Sequence, residues 1–270
     1  MAVDLEKLKY KIASAIGLTA PYNSRAAAPK SPGQTQALSE RTNHNATSLS
    51  AMATKYGSDK GSIKHEYTRF YDTLFHAFRN EPIKFVEMGL LIGGPEHDKD
   101  ASRETSDAPS VRMWLEYFPK AHIVGSDISD FSWFENERFS FVPCDMDERE
   151  NFSELKQHAE GAKVIIDDAS HASSHQQFGF LELFPALASQ GIYIIEDLQW
   201  QPTVYEKKRG NFPRTSKLFR NFLRDGFFTH PDKSIEDQLN VLASDISGAF
   251  LLQKRYLPTL IDKVLVIHKK

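Results

Sequence analysis

Two apolar runs of the sequence end in paired carboxylates. The run VIID ends at Asp167 and is followed by Asp168, and the run IYII is followed by Glu196 and Asp197. Such runs predict buried strands, and neighbouring parallel strands bring their carboxyl ends to one edge of a sheet. Carboxylates that converge there, without clusters of thiolates or imidazoles, indicate a site for Mg²⁺ or Mn²⁺ rather than zinc. The alternative is that these acids only solubilise loops or cap helices.

A histidine follows the first acidic pair. His171 comes three residues after Asp168. A metal that lowers the pKa of a hydroxyl and an imidazole that removes the proton are complementary devices, so His171 is a candidate general base. His175 is a second candidate. The alternative for His171 is a cap on the following helix or a hydrogen bond to a backbone carbonyl.

A glycine-containing turn follows the first predicted strand. The stretch FVEMGLLIGG contains Glu87, Gly89, Gly93 and Gly94, but Leu91 breaks the spacing G-x-G-x-x-G. A dinucleotide pyrophosphate needs close backbone approach at this point, so the sequence disfavours NAD. A cofactor without phosphates has no such requirement.

Acids at the ends of the next two strands fit a nucleoside. Asp127 is placed to accept both hydroxyls of a ribose, and Asp145 is placed to meet an adenine amino group. A ribose and an adenine without phosphates indicate S-adenosylmethionine. The alternative for Asp127 is an acid that serves only loop structure.

The elements that would position these residues alternate between strand-like and helix-like. The predicted strands span 83–89, 122–127, 138–142, 163–167 and 192–197, and the predicted helices span 110–118, 147–159, 174–188, 215–225 and 235–243. Strands that are apolar throughout predict a parallel α/β sheet with helices on both faces. The runs GAFLLQKR and KVLVIHK, close together in sequence, predict an antiparallel pair at the sheet edge.

Residues 1–50 differ from the domain expected over residues 51–270. Apolar residues recur at helical spacing over residues 3–17, which predicts a short amphipathic helix, and residues 18–50 have the polar composition of a linker. The apolar stripe needs a partner surface, and a second copy of the chain is a reasonable one. We therefore expect a homo-oligomer.

Composition narrows the classes of partner. The net charge of −3 and the interspersed acids and bases give no basic surface for nucleic acid or an anionic membrane. No apolar run reaches the roughly 20 residues of a membrane span, so we expect a soluble, cytoplasmic protein. The single cysteine, Cys144, excludes an intrachain disulfide and a zinc–thiolate cluster. A small-molecule partner is the expectation that follows.

Five segments together resemble a known family. They are TKYGSDKGSIKHEYTRFYDTLF (54–75), FVEMGLLIGG (85–94), SVRMWLEYFPKAHIVGSDIS (110–129), IIDDASHASSHQ (165–176) and GIYIIEDLQ (191–199). With these segments the chain resembles the metal-dependent sugar O-methyltransferases of the mycinamicin and macrocin type, and the related rhamnosyl O-methyltransferase and cephalosporin-methyltransferase group.

The resemblance implies a fold and a chemistry. The fold is a class I, Rossmann-like methyltransferase domain, and the methyl donor is S-adenosylmethionine. The divalent metal, Mg²⁺ or Mn²⁺, is held by Asp168, Glu196 and Asp197, and His171 is the general base. The segment YGSDKG folds over the cofactor. The residues predicted to bind the cofactor are Tyr56, Gly57, Lys60, Glu87, Gly89, Asp127, Asp145 and Asp167.

Two segments depart from or extend this pattern. Residues 95–109 form a charged loop that lengthens the spacing between Gly89 and Asp127, and they act either as a lid or as a solvated loop. Residues 200–214 follow the metal strand and are expected to shape the acceptor pocket. The expected acceptor is a hydroxyl on a sugar of a glycosylated metabolite or glycan. The alternatives are a catechol or other phenol, and a non-catalytic cofactor-binding protein that assembles with a partner.

Overall fold

The computed structural model of the protein describes residues 48–61, 64–97, 99–256 and 259–270. The predicted helix of residues 3–17 lies outside them, so that helix and the homo-oligomer inferred from it stay predictions. The strands of the described residues are β1 (Lys84–Met88), β2 (His122–Asp127), β3 (Phe139–Pro143), β4 (Ala162–Asp167), β5 (Leu187–Ile195), β6 (Ile246–Tyr256) and β7 (Thr259–Lys269).

These strands form one sheet in the order β3-β2-β1-β4-β5-β7-β6. Strands β1 to β5 are parallel, whereas β7 runs antiparallel to β5 and β6 antiparallel to β7. The predicted sheet, mostly parallel with an antiparallel pair at its edge, is confirmed. Strand β1 has β2 on one side and β4 on the other, so the chain order reverses here. Open α/β sheets bind ligands beyond the carboxyl ends of the strands at such a point.

The α-helices of the described residues are α1 (Leu49–Tyr56), α2 (Tyr67–Phe75), α3 (Pro109–Tyr117), α4 (Phe152–Ala159), α5 (Ser173–Leu183), α6 (Thr203–Lys208), α7 (Thr215–Asp225) and α8 (Lys233–Ala243). The sequence patterns predicted α3, α4, α5, α7 and α8 but not α1, α2 or α6. Helix α5 ends at Leu183 rather than at residue 188 because Pro185 has no backbone N–H with which to continue the helical hydrogen bonds. None of these helices has the length and apolar character to cross a membrane.

Side chains along the parallel strands alternate between two apolar layers. Phe85 and Ile166 pack in a layer with residues of α1, α2 and α3, whereas Val86 and Ile165 pack in a layer with residues of α4, α5, α7 and α8. Each central strand is therefore buried on both faces, which is why its apolar run is continuous. The polar side chains that could form a site lie at the carboxyl ends of these strands, outside the two apolar layers.

Candidate active site

The loops after β1, β2, β4 and β5 border a cavity of about 390 Å³. Gly89 follows β1 directly and has a φ of +84°, which favours glycine. A Cβ atom at this position would lie 2.6 Å from the Cα of Ala169. Glycine is therefore needed for the first loop to pass against the loop that carries Asp168.

A buried ammonium group lies among the carboxylates. Lys60 is 1 % exposed. Its Nζ contacts the carboxylate of Asp168, lies 3.1 Å from both carboxylate oxygens of Glu196, and lies 3.4 Å from Oε1 of Glu87. The Tyr71 hydroxyl donates to Oε1 of Glu196 at 2.8 Å. Buried charges are tolerated when they are paired in this way.

Burial and charge act in opposite directions on this cluster. Burial raises the pKa of Asp168 to about 6, although Lys60 lowers it. Burial, with the charge of Asp168, raises the pKa of Glu196 well above its ordinary value. Burial on its own lowers the pKa of Lys60, but the neighbouring carboxylates more than reverse this, so the ammonium stays charged.

Asp197 is held by groups from other parts of the chain. It accepts a hydrogen bond from the Tyr67 hydroxyl, and Nζ of Lys263 lies 3.4 Å from its Oδ1. Burial raises the pKa of Asp197, but His171 and the other neighbours outweigh this and lower it to about 2. Asp197 is thus a stable anion at the edge of the cavity.

His171 faces the same point. Its φ of +61° places it in the left-handed region, which is uncommon for a residue other than glycine and is found at functional sites. Its Nδ1 is buried and has no hydrogen-bond partner among the described residues. Burial lowers the pKa of His171 to about 4, so the imidazole is neutral at physiological pH.

Three of these side chains form a candidate metal site. Ligand atoms of Asp168, His171 and Asp197 all lie within 4.8 Å of one another. The group differs from the predicted set because His171 stands where Glu196 was expected. Glu196 is 1 % exposed, and its oxygens accept from Lys60 and Tyr71.

His175 has a different place from His171. Its Nδ1 lies 2.7 Å from Oγ of Ser170, and its Nε2 lies 2.9 Å from Oδ1 of Asp147. Both ring nitrogens are engaged, so His175 holds the loop that carries His171 and has no nitrogen free for an acceptor proton.

The part of the cavity that borders the ends of β2 and β3 contains the two acids predicted to bind a nucleoside. Asp127 accepts at 2.8 Å from the backbone N–H of Leu90 and at 2.8 Å from that of Ser129. Carboxylate oxygens have further lone pairs, so these bonds leave capacity for ribose hydroxyls. Asp145 is exposed at the cavity wall.

The predicted residues divide into two groups. Those that line the cavity are Gly57, Lys60, Gly89, Asp127, Asp145, Asp168, His171 and Asp197. The structure does not bring Tyr56, Glu87, Asp167 or Glu196 to this wall. The Tyr56 hydroxyl donates to Glu116 instead. Glu87 and Asp167 lie within strands, where side chains alternate between faces, and both are buried under the helices.

Several residues of the site carried no sequence signal that singled them out. Tyr67 and Tyr71 are four residues apart on α2, so they share one helical face, but nothing in the sequence shows that this face meets the carboxylates. Lys263 comes from β7 near the end of the chain. Trp200 lines the cavity, with its ring 5.4 Å from that of His171 and stacked 5.1 Å from that of His97.

Curated proteins of known activity match the chain. The 8-demethyl-8-α-L-rhamnosyl tetracenomycin-C 2′-O-methyltransferase of Streptomyces olivaceus is 32% identical over 201 residues, which are 73% of this chain and 50% of that protein. The mycinamicin VI 2″-O-methyltransferase of Micromonospora griseorubida is 31% identical over 150 residues, 56% of this chain and 36% of that protein. Over the matched region, the chain belongs to this sugar O-methyltransferase family. It spans half or less of the length of these relatives.

A solved methyltransferase structure has a similar fold. The methyltransferase of the mycinamycin biosynthetic pathway, in complex with Mg, SAH and mycinamycin VI, aligns with a TM-score of 0.60 at 24% identity, over 82% of this chain and 54% of that chain. This likeness confirms the class I methyltransferase fold. No family model matches the chain.

Proposed function

We propose that the protein is an S-adenosylmethionine-dependent, divalent-metal-dependent O-methyltransferase that acts on a sugar hydroxyl of a glycosylated natural product or glycan. The matched relatives are named as O-methyltransferases of a rhamnosyl tetracenomycin-C, of mycinamicin VI and of demethylmacrocin, which supports the acceptor class. The observation that carries the proposal is the group of Asp168, His171 and Asp197 beside the cavity that Asp127 also lines.

The cofactor end supports the choice of donor. Asp127 would accept the ribose hydroxyls, and Asp145 would meet the adenine amino group. Gly57 and Lys60 lie on the cavity wall and would border the bound cofactor. The turn at Gly89 lets backbone approach closely without the glycine spacing that a pyrophosphate requires. These features fit a nucleoside without phosphates.

The carboxylates fit a hard divalent cation. Asp168 and Asp197 would hold it, and Glu196, the third predicted ligand, lies one residue before Asp197 and would have to exchange its contact with Lys60. A bound Mg²⁺ or Mn²⁺ would lower the pKa of the acceptor hydroxyl. Oxygen ligands of this kind suit those two ions.

His171 would act as the general base. The acceptor oxygen attacks the methyl carbon as the carbon–sulfur bond of the sulfonium breaks, so that S-adenosylhomocysteine leaves. The hydroxyl proton passes to the neutral imidazole of His171. Its Nδ1, which has no partner among the described residues, is available to hold a proton or to orient the ring.

The aromatic wall next to His171 supports a sugar acceptor. Trp200 is 36% exposed, lines the cavity and packs against His97 and His171. An indole face offers an apolar surface with a polar edge, which suits the C–H face of a pyranose. Trp200 would place a sugar hydroxyl next to the base.

The test uses the purified full chain with S-adenosylmethionine and Mg²⁺. Rhamnosylated polyketides and other glycosides are supplied as acceptors, with catechols in parallel, and products are identified by mass. We expect methylation of a glycoside that is abolished by EDTA and restored by Mg²⁺ or Mn²⁺. Full activity in excess EDTA would remove the metal from the mechanism, and methylation of catechols alone would contradict the sugar acceptor.

A further inference from the structure

One arginine of the charged loop joins the two loops at the cofactor end. Nη1 of Arg103 donates to the carbonyl of Ile92 at 2.9 Å and its Nη2 donates to the carbonyl of Leu91 at 2.6 Å. Its Nε donates to Oγ of Ser129 at 3.1 Å. Leu91 and Ile92 follow β1, whereas Ser129 follows β2. A planar guanidinium with donors in fixed directions can hold two loops in one geometry, which a lysine ammonium cannot do.

The glycine motif leaves room for this guanidinium. Gly93 has a φ of +107°, and a Cβ atom there would lie 3.3 Å from Nη1 of Arg103 and 3.1 Å from Nζ of Lys99. A side chain at position 93 would therefore strain the backbone and crowd the arginine. The segment LLIGG therefore packs against the guanidinium of Arg103, and its glycines are not spaced to bind a phosphate.

Asp127 lies between the two joined loops. Its carboxylate accepts from the backbone of Leu90 in one loop and of Ser129 in the other. Burial raises the pKa of Asp127, while the two amide donors and the positive charge of Arg103 oppose that rise. The orientation of Asp127 thus depends on both loops keeping their relative position.

We propose that Arg103 is a positioning residue for nucleoside binding: it fixes the loops on either side of Asp127 in the geometry that accepts the ribose. The inference rests on the proposed function, because it takes Asp127 as the ribose acceptor. It also gives residues 99–105 a role, which is to brace the cofactor site. Preorganised loops bind more tightly because less ordering occurs on binding.

Calorimetry on the full chain with two ligands tests the proposal. One ligand is S-adenosylhomocysteine and the other is 5′-methylthioadenosine, which keeps the nucleoside but lacks the amino-acid group. In Arg103→Met, we expect affinity for both ligands to fall by about tenfold or more. Arg103→Lys should lose nearly as much, since the three acceptors are bound by three separate nitrogens of the guanidinium and a lysine has a single nitrogen. Mg²⁺ affinity should stay within about twofold, because Arg103 touches none of the carboxylates proposed as metal ligands.

Controls separate positioning from general damage. Arg224→Met removes an exposed arginine of α7 that pairs with Asp225, and it should leave both affinities unchanged. Ser129→Ala removes only the Nε contact and should give a smaller loss in the same direction, which serves if Arg103→Met does not fold. Circular dichroism confirms that each variant is folded at the temperature used.

The outcomes are distinct. A loss for S-adenosylhomocysteine alone would show that Arg103 contacts the amino-acid group directly and would overturn the positioning role. Unchanged affinity for both ligands in Arg103→Met and Ser129→Ala would also overturn it. If the unaltered chain binds neither ligand, the proposed function itself fails, and this result is distinguishable from the other two.

Discussion

Asp168 and His171 lie in the same short loop, but their surroundings differ. The carboxylate of Asp168 contacts the buried ammonium of Lys60, whereas Nδ1 of His171 has no partner among the described residues. One residue is therefore part of a charged network, and the other is a neutral group directed at the cavity. Loss of each should affect a different step.

Asp168→Ala should lose metal affinity and turnover together, because it removes one of the proposed ligands. His171→Ala should keep metal and S-adenosylhomocysteine affinity but lose roughly 10²–10⁴-fold in turnover, the usual contribution of a positioned base. Calorimetry with Mg²⁺ and S-adenosylhomocysteine, together with turnover on a glycoside acceptor, measures both. Since His171 also lies within the candidate metal site, an equal loss of metal affinity in His171→Ala would make it a ligand and contradict its role as base.

The neighbouring Asp167 has a carboxyl group whose pKa differs between the folded and the unfolded chain. Burial raises its pKa to about 7, and its Oδ2 has no hydrogen-bond partner among the described residues. The unfolded carboxyl releases its proton near pH 4, so between these values the folded state binds more protons and stability falls as pH rises. Asp167→Asn keeps the shape without the charge. Urea unfolding should show the variant more stable than the parent by about 2–4 kcal/mol at pH 8 and nearly equal to it at pH 4. A constant difference across this range would contradict the raised pKa.

At the scale of elements, the contact between the loops that follow β1 and β4 fixes the position of Asp168. The backbone N–H of Asp168 donates to the carbonyl of Met88 at 2.9 Å, and Gly89 passes directly under Ala169. The apolar runs predicted both strands within two residues because each strand is buried on both faces. The close contact between their following loops is a tertiary feature that no local pattern shows.

Gly89→Ala tests this contact against a matched glycine. Gly161 also has a positive φ, of +75°, but a Cβ atom there would meet nothing within 4 Å. Gly161→Ala should cost about 1–2 kcal/mol, the conformational strain alone. Gly89→Ala adds a backbone clash and should cost more than about 3 kcal/mol, with weakened Mg²⁺ binding as the loop of Asp168 moves. Chemical denaturation of both variants measures the difference, and equal costs would show that the loops separate freely.

At the scale of the whole molecule, the carboxyl ends of the strands could be predicted as the site. The family resemblance also predicted Lys60 there, as a cofactor residue, but not its contacts with the carboxylates, and nothing singled out Tyr71 or Lys263. Acids that end apolar runs are visible in sequence, as Asp127, Asp168 and Asp197 show. Lys60, Tyr71 and Lys263 reach the same cluster from the segment before β1, from α2 and from β7. Their convergence depends on how the helices and the edge strands pack, which periodicity does not encode.

Lys60 joins the segment before β1 to the ends of β1, β4 and β5. Its removal in Lys60→Met would leave Glu87, Asp168 and Glu196 buried without their cation. We expect a loss of about 3–5 kcal/mol in unfolding free energy at pH 8, as for other broken buried ion pairs. Without Lys60 these carboxylates bind protons more tightly when folded than when unfolded, so stability should recover as pH falls toward 5. Urea unfolding at the two pH values measures this.

Lys64→Met is the matched control for that prediction. Lys64 forms an exposed ion pair with Asp59, and such pairs contribute little, so its loss should change stability only slightly at either pH. Excess Mg²⁺ should restore part of the stability of Lys60→Met at pH 8, because a divalent cation can replace the ammonium among the carboxylates. Equal destabilisation of Lys60→Met at both pH values would mean that Lys60 acts through packing alone. In that case the carboxylates would be protonated in the native state, and their proposed role as metal ligands would require proton release on binding.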